Sequence, residues 1–157
     1  MTAFAMEQGH FEIGLAPVAD AFAATVSSDV VSMKNHNRVR FLVFWGVGAT
    51  GTTTLPVEAC DDVKPTTTSA VAFRYRRLSA AGQAPGAPTA VASTGILTTA
   101  GSAQIYEVEV AAEALLASGY AFVRLTAVES VDSPILGGIL IQMLEPRHAT
   151  RLATATA

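Results

Sequence analysis

Residues 29–51 read DVVSMKNHNRVRFLVFWGVGATG, and their reading decides the fold. Val39, Phe41, Val43 and Trp45 alternate with Arg40, Leu42 and Phe44. A period of two marks a β-strand. One face is wholly apolar and the other turns apolar beyond Arg40, so the strand is expected to be central and covered on both sides over much of its length. Val30–Met33 reads as a shorter strand before it, and Asn35, His36 and Asn37 supply a polar segment tolerant of turn geometry.

The stretch closes on Gly46-Val47-Gly48-Ala49-Thr50-Gly51, which matches the G-x-G-x-x-G dinucleotide fingerprint. That chemistry requires a helix to begin at the glycines, so that its N–H groups meet a pyrophosphate. The residues that follow are TTTLPVEAC. Three threonines and Pro56 make a poor helix body. The acid expected about 20 residues further on is absent, since Val71, Ala72 and Phe73 occupy that region. Thr52 stands where a P-loop needs lysine. A glycine-rich turn between two strands is the better reading, with no nucleotide and no other cofactor.

The pattern continues outward. Thr53, Leu55, Val57 and Ala59 alternate with Thr54, Pro56 and Glu58; Pro56 cannot donate to a ladder, so an edge or a bulge is expected there. Val71, Phe73 and Tyr75 alternate with Ala72, Arg74 and Arg76, and further strands are expected at residues 104–110, 120–129 and 134–144. Residues 80–88 (AAGQAPGAP) form a loop. Residues 111–117 are the one helical stretch, about two turns long and closed by Gly119. The sum is an all-β domain, a β-sandwich or jelly-roll-like fold of about eight strands with one short helix.

Upstream, Phe4, Phe11, Ile13, Leu15 and Phe22 follow neither period, and Gly9, Gly14 and Pro17 interrupt any helix. Residues 1–25 are therefore expected to be an extended N-terminal arm, residues 26–147 the β-sandwich domain, and residues 148–157 a frayed C-terminal tail. An arm this apolar is expected to lie on its own core or on a partner. Phe4, Phe11, Ile13 and Leu15 are the candidate partner contacts.

Composition bounds the function. The 157 residues carry a net charge of −3, half are hydrophobic, only 15% are charged, and the mean hydropathy is +0.39. A mild acidic balance gives no attraction to nucleic acid or to anionic membranes. The longest apolar runs, residues 41–48 and 135–144, are about half the ~20 residues of a spanning helix. The N-terminus lacks the basic and apolar regions of a secretory signal. The apolar excess is best placed against other chains, in a homo-oligomer or a larger complex. Cys60 is the only cysteine, which excludes an intrachain disulfide and fits synthesis in a reducing cytoplasm; it reads as a small apolar strand residue.

Groups that carry chemistry are scattered. Glu107 and Glu109 project from one face of a strand, about 6.5–7 Å apart, with Arg74 and Arg76 at the same spacing on another. Cross-strand ion pairs on a solvated face explain them better than acid/base work, and Arg77 does not extend the pair into a nucleic-acid surface. His10, His36 and His148 have no ligand spacing, and Asp61, Asp62 and Asp132 do not make a calcium loop. Trp45, Tyr75, Tyr106 and Tyr120 are the candidates for a ligand-stacking platform, although Trp45 is in phase with the core residues of its strand. No catalytic, cofactor or metal residue is assigned.

The residues 30–62, the strand AVAFRYRR, the pair QIYEVEV and the ending ILIQMLEPRHA together resemble a family of small structural proteins of tailed bacteriophages. Ser32, Lys34, Asn35 and Asn37 stand at its S-x-K-N-x-N segment. Phe73, Arg74 and Tyr75 stand at its F-R/K-Y strand, and Ile105, Tyr106 and Glu109 at its I-Y-x-[IV]-E-V strand. Pro146, Arg147 and His148 stand near its end. The resemblance spans about residues 29–149 and rests on the order of weak motifs. It implies a non-enzymatic capsid decoration (cement) protein on the outer surface of the virion. Its partners would be the major capsid protein and itself, as a homo-oligomer expected to be a trimer, with neither nucleic acid nor membrane. The alternatives are a tail, neck or head-fibre component, or a carbohydrate- or ligand-binding β-sandwich.

Overall fold

Alternating apolar residues have one stable outlet in this chain, the interior between two sheets. A computed structural model describes residue 6 and residues 8–48 and 50–147. Phe4, His148 and the tail 148–157 lie outside them. The described residues form an all-β sandwich of two antiparallel sheets.

The strands are β1 (Gly9–Val18), β2 (Thr25–Ser27), β3 (Val31–Ser32), β4 (His36–Trp45), β5 (Thr52–Leu55), β6 (Val57–Cys60) and β7 (Thr68–Val71). They continue as β8 (Phe73–Leu78), β9 (Thr89–Val91), β10 (Ile96–Leu97), β11 (Gln104–Ala111), β12 (Phe122–Val131) and β13 (Gly137–Pro146). One sheet has six strands in the order β1-β13-β4-β11-β8-β9. The other has seven, built around β12, which pairs with β2, β3, β5 and β6. β10 and β7 pair in turn with β5 and β6.

Thirteen strands replace the expected eight. β1 and β2 fall in or at the end of the segment expected to be an arm; β2, β9 and β10 have only two or three residues each, too few to show a period; and the run 68–78 is divided at Ala72 into β7 and β8, which lie in different sheets. The 52–60 strand is also cut at Pro56. Its register against β12 runs unbroken from Val128↔Thr54 to Phe122↔Cys60. The Pro56 carbonyl still accepts from the Thr126 N–H at 3.0 Å. The nitrogen that has no hydrogen lies beside Gly95, where the neighbouring strand changes from β10 to β7. Proline is thus tolerated at a break in pairing.

The core lies between the sheets. Val39, Phe41, Val43 and Trp45 of β4 meet Val108 and Val110 of β11, Ile139, Ile141 and Met143 of β13, and Val123, Leu125 and Ala127 of β12, all buried. Burial of this alternating set is the main favourable contribution to folding. The expected helix is a 3-10 helix, Ala112–Ser118, closed by Gly119 at φ 73°. Its one buried residue is Leu115.

The N-terminal segment belongs to this body. β1 pairs antiparallel with β13 from Gly9↔Leu144 to Val18↔Gly137. Phe22 is buried and stacks on Trp45, 4.9 Å between centroids. The residues between 9 and 22 therefore dock within their own chain, with β1 as an edge strand of the six-stranded sheet.

Candidate interaction face

The second face of β4 departs from expectation. It was expected to be covered, yet its side chains are exposed or only half-buried. Phe44 is 44% exposed, and Leu42 is only partly buried. The strands on either side extend this face, and the register fixes its rows. One row runs Ile13–Leu140–Leu42–Glu107–Arg76, and the next runs Phe11–Gln142–Arg40–Glu109–Arg74. A third places Gly138, Phe44, Ile105 and Leu78 side by side.

The rows divide the outer face into two halves. Towards β1 it is apolar, with Phe11 57% and Ile13 65% exposed beside Leu140, Leu42 and Phe44. Towards β8 it is an ionic lattice. Arg76 Nε lies 2.6 Å from Glu107 Oε2, and Glu109 receives Arg38 Nη1 at 2.9 Å and Arg40 Nη2 at 3.2 Å. Arg38 Nε also meets Glu145 Oε1 at 2.9 Å. The hydrogen bond with Glu109 raises the Arg38 pKa, and that with Glu107 raises Arg76. Both carboxylates are thus held by guanidinium groups in charge-assisted hydrogen bonds. Arg74 makes no ion pair among the described residues. The open hollow above the lattice, about 740 Å³, includes Arg74, Tyr75, Pro88 and Ala90 in its lining.

Of the candidate contacts, Phe11 and Ile13 stand on this face, and Leu15 is partly buried against the core. Phe4 lies outside the described residues. Leu42, Phe44 and Leu140 were not singled out from sequence because a second apolar face reads there as a second buried face.

The remaining groups have structural explanations. Gly46, Gly48 and Gly51 precede the strand β5, not a helix, and they lie against the segment 133–136. A Cβ on Gly46 would stand 2.6 Å from the Leu136 carbonyl oxygen, one on Gly51 2.6 Å from that of Ser133, and one on Gly48 would strike Ile135. The fingerprint glycines serve close backbone packing.

Trp45 and Tyr106 are buried at 1% and 2% exposure, and the Tyr106 hydroxyl donates to Gln104 Oε1 at 2.8 Å. Tyr75 and Tyr120 are partly buried against the core. Neither Trp45 nor Tyr106 offers a ligand platform. Cys60 is fully buried, and burial pushes its thiol up to about 11. Asp61 accepts from the Thr66 N–H and hydroxyl at 3.0 and 2.7 Å; the side-chain bond lowers its pKa. These bonds close the turn between β6 and β7.

His10 and His36 meet edge to face at 5.3 Å, which ties β1 to β4 across the end of β13. Among the described residues no three His, Cys, Asp or Glu side chains gather in a metal-binding group. No described helix is long and apolar enough to cross a membrane. Comparison with protein-family models, curated proteins and solved structures returns no match.

Proposed function

We propose that this chain is a non-enzymatic virion protein that decorates and stabilises a tailed-phage capsid. Its partners on this reading are neighbouring major capsid subunits and further copies of itself, on the outer surface of the shell. The observation that carries the reading is the apolar half of the outer sheet face, Phe11, Ile13, Leu42, Phe44 and Leu140. Exposed apolar area on a rigid sheet is costly in water and is characteristic of a protein-binding surface. The adjoining Arg/Glu lattice suits the polar rim of such an interface and supplies register more than affinity. The resemblance of residues 29–149 supplies the class of partner.

Quantitative mass spectrometry of density-purified particles tests the proposal. One copy per capsid subunit, or one oligomer per local symmetry axis, is the expected result. A few copies per particle would move the protein to the neck or tail. Absence from particles would remove the virion reading.

A further inference from the structure

β1 has ten residues and sits at the edge of its sheet. It is much the longest edge strand: β9 has three residues, β10 two and β7 four. A long uncovered edge is a template for pairing unless it is protected. β1 is protected over half its length only. Its register against β13 slips between Ile13 and Leu15 and again between Leu15 and Val18. At Gly14 the carbonyl accepts the Asp29 N–H at 2.8 Å, and Pro17 has no N–H to offer. Residues 9–13 have none of these backbone devices; Glu12, on the same side as the core residue Ile141, is their one protecting feature. Their register against β13 is regular, and among the described residues no backbone hydrogen bond outside that ladder reaches them.

We infer that residues 9–13 form a self-association edge, on which the same residues of a second copy pair antiparallel about a two-fold axis at Phe11. The open segment is itself centred on Phe11, so this register pairs all of it and leaves Gly14, already covered by Asp29, outside. It sets Phe11 against the partner's Phe11, an aromatic cross-strand pair. It also sets His10 against the partner's Glu12 and Glu12 against the partner's His10, a pair of complementary polar type on each side, with His10 Nε2 already 3.4 Å from Glu12 Oε1 of its own chain. The neighbouring register, two residues on, would oppose Glu12 to Glu12 and is disfavoured by like charge.

The pair joins two six-stranded sheets into one and makes their apolar outer faces continuous. The inference concerns the isolated protein and does not rest on the capsid reading. It does narrow self-association to a two-fold pair, in place of the trimer that the resemblance implies.

Disulfide trapping on the full chain tests it. Directly opposed residues of an antiparallel pair have Cα atoms about 4.5–5.5 Å apart, within the range a disulfide spans. Phe11→Cys therefore forms a crosslinked dimer under mild oxidation. Ile13→Cys is the control, because in this register the two copies of residue 13 are offset by four residues, about 13 Å along the strands. Crosslinking roughly tenfold greater for Phe11→Cys, with a dimer of the unmodified chain in sedimentation equilibrium, is the expected result. Cys60 is buried, so the unmodified chain stays uncrosslinked. A monomer at every concentration, a trimer without the Phe11→Cys crosslink, or equal crosslinking at positions 11 and 13 would each overturn the edge pairing.

Discussion

Phe22 lies parallel to Trp45, 4.9 Å between ring centroids and 11° between planes, and this stack fastens the segment after β1 to β4, a central strand of the same six-stranded sheet. Both rings are almost fully buried. Phe22→Ala removes the stack and leaves a cavity beside Trp45, so the expected loss of stability is about 3–5 kcal/mol. Denaturant unfolding followed by the fluorescence of the single tryptophan measures it. A loss below about 1 kcal/mol would mean that the N-terminal segment is not part of the cooperative unit.

The outer face predicts the opposite behaviour. Phe44→Thr keeps a β-prone residue at a position 44% exposed, so its cost in stability is expected to stay below about 1 kcal/mol. Binding to capsids lacking the protein should nevertheless weaken by about tenfold or more if Phe44 sits in the centre of the contact. Unchanged binding, measured by co-sedimentation, would take Phe44 out of the interface.

These two phenylalanines mark how far the sequence was legible. The period-two pattern identified β4 and its inward residues, and Pro56 announced its own break in pairing. The pattern is blind to what covers a face. Leu42 and Phe44 look as apolar as Val43 and Trp45, although only the latter pair meets the opposite sheet. β1 was illegible for a different reason. Its register slips on both sides of Leu15, and each slip changes the phase of the side chains, so Phe11, Ile13 and Leu15, although spaced by two, share no face: the first two point outward and Leu15 packs on the core. Phe22 is placed by a long-range contact with Trp45, which no local window contains. The candidate face itself is a product of registry across β1, β13, β4, β11 and β8, elements distant in sequence.

Acid should loosen the junction of β1 and β4. His36 is buried, and its pKa is lowered from the ordinary 6.5 chiefly by burial and then by His10, with Glu12 opposing. The unfolded chain therefore binds a proton more readily than the folded one. The stability contributed by neutral His36 is fully present above about pH 6.5 and is lost as pH falls through the lower folded value. The urea midpoint is expected to be level between pH 8 and 7 and to decline below about 6.5. His36→Gln should flatten that decline. A decline of equal size in His36→Gln would assign it to other groups.

Cys60 should be silent in the native protein. It is fully buried, and its thiol is pushed up to about 11. Its thiolate population at neutral pH is then lower than that of a free cysteine by about two orders of magnitude, before access is counted. Labelling with a thiol reagent should accordingly proceed at least ~100-fold more slowly in buffer than in denaturant. Rapid native labelling would mean that the pairing of β6 with β7 opens at Cys60.

The glycine motif after β4 separates packing from ligand binding. At Gly46 a methyl group would stand 2.6 Å from the Leu136 carbonyl oxygen, the same atom that accepts the Gly46 N–H at 2.7 Å. Backbone must therefore move to admit alanine, and Gly46→Ala is expected to cost about 1–3 kcal/mol. Gly51→Ala meets the Ser133 carbonyl in the same way. Neither change should alter the response to a dinucleotide, because the unmodified chain should show no thermal shift with one. The strand β5 begins where a pyrophosphate site needs a helix to supply its N–H groups. A saturable shift in the unmodified chain, abolished by Gly46→Ala under conditions where the variant remains folded, would restore the nucleotide reading and displace the packing one.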